Sequence, residues 1–279
     1  MDSRSVSPGT KALVYVLMAL FTVLAIYPIF WIIIQSFKTT QEYLTTSKLT
    51  FPKQWFFDNY PYAWRMGKFG LLFANSVFYT AISVTVVVIL SLMAGFGFSK
   101  LKFKITPVLH GLFIIGILLT IQSILVPLFL LANAAKLYNT RLGVLIPYVG
   151  LGLPMGVYLC TEFTKGIPDE VIESARIDGA GYLRIFSRII FPMCIPAAVT
   201  LAIISFTSTW NEFVLINILT SSDAIKSLPV GVARFAGARS TDYGRQFTGL
   251  VICLIPILIF YGIFRKQITK GVAAGAVKG

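Results

Sequence analysis

The sequence predicts an all-α polytopic membrane protein with six transmembrane helices. Two observations carry that prediction. Hydrophobic residues make up 56% of the 279-residue chain and charged residues only 13%, against roughly 25% charged in an ordinary soluble domain. The apolar residues also fall in runs that reach the roughly 20 residues a helix needs to cross a bilayer. Short polar stretches separate these runs.

Taken in order, residues 1–10 form a polar tail. Residues 12–37 are the first span. It is too long for a signal-peptide core and lacks a small-residue cleavage site, so it is read as retained. Pro28 should kink it. Residues 38–69 are a polar, aromatic-rich connector. Trp55, Phe56, Phe57, Tyr60, Tyr62 and Trp64 cluster there, as amphipathic rings do at the headgroup level. The pattern favours an interfacial helix pair over a binding surface. Residues 71–98 are the second span. Ser76, Tyr79, Thr80 and Ser83 share one of its faces, and small or hydroxyl residues let helices approach closely in lipid. A short loop with Lys100, Lys102 and Lys104 leads to the third span, 107–132, which contains Pro127. Lys136 and Arg141 mark the next loop. The fourth span, 143–163, is interrupted by Pro147 and Pro154, where kinks are expected. The fifth span is 189–220. A loop with Pro229, Gly231, Gly237 and Gly244 precedes the sixth, 247–264, which holds Pro256. A tail closes the chain.

Several function classes drop out. The net charge of +13 comes from basic residues lying between spans, so anionic lipid headgroups, not nucleic acid, are its simplest partner. Cys160, Cys194 and Cys253 sit in apolar segments with no metal-site or disulfide spacing. His110 stands alone at the start of an apolar run. There is no Walker-type glycine loop, no paired catalytic carboxylates and no nucleophile constellation. The chain is therefore read as a translocation component with no catalytic residues, metal or cofactor of its own.

One polar island interrupts the second half, residues 167–192. Pro168 suits the first position of a helix. Asp169, Glu170 and Glu173 put negative charge near that helix's positive end. Gly179 is placed to end it. A second short helix, 180–188, carries Arg184 and Arg188 late, where cations suit the negative end. The shape is helix, glycine elbow, helix. Shape alone is equally compatible with a plain amphipathic connector.

Here the residues point to a family. Glu173-Ser174-Ala175, Asp178-Gly179-Ala180, Phe186, Ile189 and Pro192 resemble the EAA loop of bacterial ABC importer permeases, with Ser174 in place of the usual Ala. The resemblance implies a type I ABC importer permease fold. It implies that 167–192 is a coupling helix seated in a cleft of an ATPase subunit. Glu173, Ser174, Ala175, Arg176, Asp178, Gly179 and Ala180 would form that contact, with Glu173 and Gly179 transmitting motion and Arg176 and Asp178 as docking charges. ATP and Mg would be bound in the partner ATPase subunits. Lys and Arg divide too evenly between the two sides to orient the spans. The resemblance orients them instead: both termini cytoplasmic, in the bacterial cytoplasmic (inner) membrane.

The fifth span carries the second candidate site. Ser205, Ser208, Thr209 and Glu212 fall at i, i+3, i+4 and i+7 on one face, with Trp210 and Asn211 alongside. A carboxylate near a helix centre costs about 2.5–3.5 kcal/mol on insertion scales, so it faces a cavity or a partner. Two readings stay open. The stripe suits a hydroxyl-rich solute, with Trp210 placed to stack on a sugar face. Alternatively, Glu212 pairs with an Arg or Lys of a neighbouring helix and is structural.

Trp210-Asn211-Glu212-Phe213 and Leu228-Pro229-Val230-Gly231 resemble the sugar-importing branch of that family, and the tail 274–279 resembles that of the maltose-type second permease. This implies a second homologous permease, an ATPase dimer reached by the tail, and an extracytoplasmic sugar-binding protein met by the loop tip at 236–242. In that system the sugar is held by the other permease. The expected organisation is 1–69 (tail, first span and external connector), 70–265 (five-helix transmembrane domain) and 266–279 (cytoplasmic tail). The rivals are a permease of this class for a non-sugar solute and an ion-coupled secondary transporter. The latter needs intramembrane ionisable residues and often shows repeats. Glu212 is nearly alone in the spans, and no repeat is evident.

Overall fold

The computed structural model describes residues 8–65, 67–101, 103–236 and 241–276. Its helices run in order as α1 Pro8–Gln35, α2 Thr40–Thr45, α3 Asn59–Arg65, α4 Phe69–Lys100, α5 Thr106–Ile117, α6 Ile121–Ala134, α7 Arg141–Lys165, α8 Asp169–Ile177 and α9 Tyr182–Ile185. A π-turn, Phe186–Ile190, follows, then α10 Phe191–Met193, α11 Ile195–Trp210, α12 Val214–Leu219, a 3₁₀ turn Asp223–Ile225, α13 Leu228–Ala233 and α14 Tyr243–Ala276. Four helices are long and apolar enough to cross a membrane: α1, α4, α7 and α14. Two bent pairs, α5–α6 and the segment from α9 to α11, bring the number to six when each pair is one span. The fold is all-helical among the described residues, apart from an isolated bridge between Ala236 and Thr241.

Two expected straight spans are broken. The third bends by 107° between α5 and α6, at Leu118–Thr120 and not at Pro127, which lies inside α6. Thr120 is extended there, a conformation that suits the residue preceding a helix. The fifth breaks twice. It bends by 74° at Cys194, flanked by Pro192 and Pro196, each of which removes a backbone donor and crowds the carbonyl four residues back. It stops again at Asn211–Phe213 before α12. The fourth span does the reverse. It stays one helix of 25 residues with Pro147 and Pro154 inside. Each proline follows a glycine by four residues, Gly143 and Gly150. The carbonyl that each ring crowds therefore belongs to a backbone with room to adjust.

The chain forms two compact units. The first comprises Met1–Phe69 and Gly231–Ile255. The connector does hold two short helices, α2 and α3, but Trp55 and Phe57 lie outside them. They pack edge-on to Phe37, with centroids 5.2 and 5.1 Å away, and Tyr60 joins at 5.4 Å. Buried Asn59 donates to the carbonyls of Ser36 and Lys38 at 2.8 and 3.0 Å. The Trp31 indole N–H and the Gln35 amide both donate to the Lys48 carbonyl. Lys38 is fully buried, and burial lowers the pKa of its ammonium.

The second unit comprises Gly70–Val230 and Pro256–Gly279. Ser76, Tyr79, Thr80 and Ser83 are all buried on α4, with Asn75 beside them. The upper members hold a loop as well as packing a helix. Asn75 donates to the carbonyls of Ala224 and Lys226, the Tyr79 hydroxyl donates to the Ile225 carbonyl, and Ser76 Oγ accepts from the Leu228 N–H. Arg141 donates to Asn75 Oδ1 at 3.2 Å. Close helix approach comes lower down, where α4 meets α7. A Cβ on Gly95 would sit 2.7 Å from the Cys160 carbonyl carbon and 2.9 Å from the Thr161 nitrogen. Gly97, two residues on, has open space. Gly95→Val should therefore lower stability by about 1–3 kcal/mol through overpacking against backbone. Gly97→Ala should be neutral or raise it by about 0.5–1 kcal/mol. Thermal unfolding of both variants in detergent checks the contrast.

Candidate functional site: a hairpin and a polar cavity

The polar island folds as the sequence predicts in outline. Pro168 precedes α8 with an extended backbone and does not begin it. Asp169 and Glu170 occupy the first turn and Arg176 the last. The helix ends in a closed double bond: the Gly179 N–H donates to the Arg176 carbonyl at 3.0 Å and the Ala180 N–H to the Ala175 carbonyl at 2.9 Å. Gly179 takes φ +79°, the left-handed conformation this ending requires and glycine adopts freely. The second helix starts at Tyr182 rather than at residue 180. Gly181 is extended ahead of it and accepts from the Arg184 and Ile185 N–H groups. It runs on through the π-turn, where the Phe191 N–H donates to the Phe186 carbonyl.

The hairpin has two unlike faces. Ile172, Ala175, Ile185 and Ile190 are buried in one cluster with Phe96 of α4, Cys160 of α7 and Leu201 of α11. Burying an isoleucine fully contributes roughly 1.5–3 kcal/mol, so this face fixes the hairpin to the ends of the spans. Lys100, 5% exposed, reaches from the end of α4 to Asp169 at 2.6 Å and also donates to the Ile167 carbonyl. Asp169 is 62% exposed, so the ion pair itself adds at most about 1 kcal/mol, and the bonds mainly fix where α8 starts. The outer face carries Glu173, Ser174, Arg176, Asp178 and Gly179, all exposed. Ala180 is half-buried and Ala175 buried, so these two candidate contact residues face partly or wholly inward. Beside the elbow, Ile177 and Leu183 are 86% and 80% exposed. The Arg176 guanidinium lies over the Tyr182 ring at 5.5 Å.

The second candidate site is a cavity of about 280 Å³ within the second unit. Ser205, Ser208 and Thr209 of α11 line it with Glu212, as does Tyr148 of α7; Gly152, Met155, Leu201 and Ile204 contribute apolar wall. Trp210 and Asn211 are not in the lining. Trp210 is buried between Phe73 and Phe206, with centroids 5.8 Å from each, so in this conformation its ring is not offered to a sugar. Asn211 ends α11 and donates through its amide to the Thr207 carbonyl.

Glu212 answers to neither expected partner. It does not sit inside a helix, and its printed partners include no Lys or Arg. The Tyr148 hydroxyl donates to its Oε2 at 2.7 Å, and the N–H groups of Leu215 and Ile216 donate to Oε1 and Oε2 at 2.6 and 3.1 Å. The carboxylate thus caps the start of α12, where a negative group is favoured. Tyr148 was not foreseen. It lies 64 residues away in a proline-rich apolar run, and nothing local marks it.

With this geometry in hand, comparison with known proteins is informative. The family described as the binding-protein-dependent transport system inner membrane component matches residues 87–273. The chain belongs to this family. This inner membrane component is 37% identical over 270 residues to a putative ABC transporter permease protein, ORF2, of Caldicellulosiruptor sp. (strain Rt8B.4), covering 97% of this chain and 98% of that one. It is 31% identical over 269 residues to the diacetylchitobiose uptake system permease protein NgcG of Streptomyces coelicolor, covering 96% and 89%. A chain in the crystal structure of a bacterial ABC transporter involved in import of the acidic polysaccharide alginate shares its fold. The TM-score is 0.80 at 23% identity, over 95% of this chain and 98% of that chain.

The Glu212 geometry gives a graded expectation. Glu212→Ala leaves two N–H groups and the Tyr148 hydroxyl without their acceptor. At about 1.5–3 kcal/mol for a hydrogen bond to a charged group, it should lower stability more than Glu212→Gln, which keeps one acceptor. Tyr148→Phe should cost least. Unfolding midpoints of the three inner membrane component variants, measured in one detergent, check the order.

Proposed function

We propose that this chain is the permease subunit of an ATP-driven, binding-protein-dependent sugar importer. It forms half of the transmembrane pathway beside a second homologous permease. An ATPase dimer holds ATP and Mg on one side, and an extracytoplasmic sugar-binding protein delivers solute on the other. The observation that carries this reading is the two-faced hairpin. Its inner face is locked into the ends of three spans, while its elbow presents Ile177, Leu183, Glu173, Arg176 and Asp178 outward. Exposed aliphatic side chains beside charged ones make a surface suited to a partner protein. A handle so attached moves the spans as a unit when the ATPases close, a two-state switch biased from one end.

Sugar as the solute is supported by the diacetylchitobiose permease of Streptomyces coelicolor, similar over nearly its whole length. In this reading the hairpin and both termini are cytoplasmic. The hydroxyls of Ser205, Ser208 and Thr209 form a stretch of the pathway, and Glu212 shapes it by holding α12 against α7. Tail residues 277–279 and loop residues 237–240, which would meet the ATPases and the binding protein, lie outside the described residues.

Two measurements test the proposal. In proteoliposomes holding the full complex, ATP should drive sugar uptake and an ion gradient alone should not. The reverse result would establish the secondary-transporter reading. Gly179→Asp forces a side chain onto the left-handed elbow, at about 1 kcal/mol or more per residue, and adds charge at the contact. Uptake should fall at least tenfold, with ATP hydrolysis either persisting uncoupled or lost with assembly. Normal uptake by this variant would remove the coupling role from the hairpin.

A further inference from the structure

Away from both sites, a groove of about 520 Å³ opens where the end of α4, the following turn, the start of α5 and the end of α7 meet. Its polar lining is basic: Lys104 on the turn, Lys165 at the end of α7 and His110 on α5. Two atoms in it are buried and unpartnered, Thr106 Oγ1 and His110 Nε2. Buried polar atoms are nearly always satisfied, and one that is not asks for a missing partner. Here two such atoms, four residues apart on one helix, lie in the same groove. The other two lining hydroxyls are already committed, Ser99 to the Gly95 carbonyl and Thr161 to the Val157 carbonyl. Lys165 bonds Glu162 at 2.6 Å, but both side chains are about half exposed. No ion pair is recorded for Lys104.

The chemistry that meets all of these groups at once is a phosphate ester. Its oxygens accept from a threonine hydroxyl, an imidazole N–H and two ammonium groups, and lysine serves such oxygens as a point charge. The remaining wall is apolar and aromatic, from Phe98, Leu101, Phe103 and Pro107. Beyond the groove, Val108, Leu112 and Ile115 make an exposed stripe along α5, at 62%, 59% and 59%. Phosphate at the mouth with an apolar track leading away matches a lipid and not a free ion. The groove also lies at the same end of the spans as the hairpin, since Lys165 and Ile167 are two residues apart. Anionic lipid is concentrated in the cytoplasmic leaflet, and basic clusters there bind its headgroups.

We infer that this groove binds the phosphate headgroup of one anionic phospholipid, with Thr106, His110, Lys104 and Lys165 as its ligands and the outer face of α5 as the track for an acyl chain. The site is independent of which solute is carried.

The full complex is reconstituted in nanodiscs of mixed phosphatidylglycerol and phosphatidylcholine, released into mild detergent, and its retained lipid counted by native mass spectrometry. Wild type should retain phosphatidylglycerol at least threefold over its share of the mixture. Lys104→Gln combined with Lys165→Gln should remove the enrichment, and Thr106→Val should reduce it. Lys136→Gln, a basic residue outside the groove, should leave it unchanged. Lys104→Gln alters an exposed side chain, so its effect reads binding and not folding. Equal retention of the two lipids by wild type, or undiminished enrichment in the double variant, would overturn the inference. Displacement of the lipid by millimolar inorganic phosphate would overturn the lipid assignment and identify a free phosphate site.

Discussion

A backbone N–H in hydrocarbon has no water to turn to, so every interruption of a spanning helix must supply its own partners. That constraint governs the second unit of this chain. At the first interruption, the Leu118 and Leu119 N–H groups fold back onto the Ile115 and Gly116 carbonyls, and the Thr120 and Ser123 hydroxyls bond each other. At Cys194, the N–H reaches the Ile190 carbonyl and its own carbonyl accepts from Ala198. At Asn211–Phe213 the backbone cannot close the account alone. The Glu212 carboxylate takes up the free donors of α12 and anchors the break to α7 through Tyr148. A charge that looks costly in an apolar run is there because the helix stops.

The same logic explains why the two candidate sites differ in kind. The hairpin lies at the end of the spans, where water meets its outer face, so it tolerates exposed charges and a left-handed glycine. The cavity lies among the spans, and its polar groups are mostly spent on the protein. Ser205, Ser208 and Thr209 line it, but Glu212 is occupied on both oxygens. A solute passing here would meet hydroxyls more than charge. That is the chemistry of a path for neutral, hydroxylated molecules rather than of a tight ionic site.

Most of the fold was legible in the sequence because a bilayer imposes its thickness on apolar runs. The hairpin was legible because its signals are local: acidic residues in the first turn, Gly179 at the stop and Pro192 beyond. The breaks were not. Pro147 and Pro154 advertise a kink that α7 absorbs, while Leu118–Thr120 carries no proline and turns sharply. Packing decides between these outcomes: Gly116, just before the turn, lies against the Pro154 ring of α7. The stripe on the fifth span was read on an unbroken helical register. Ser205, Ser208 and Thr209 kept it, and Trp210 and Asn211 fell outside the cavity. Glu212 stayed in the lining although the helix had ended. Its true partners are one distant hydroxyl and two main-chain groups, which no spacing rule reveals.

The π-turn at Phe186–Ile190 bears on how force leaves the hairpin. Ile185 and Ile190 are both fully buried, yet five residues apart in an ordinary helix they would point about 140° away from each other. The wider turn brings them onto one side. From Ile190 onward, buried Cys194, Ala197 and Leu201 resume an ordinary helical rhythm. A single extra residue thus works as a phase adjuster between lever and shaft. It lets the elbow be oriented for its partner and the span for its neighbours, each on its own rotation, with one joint reconciling the two.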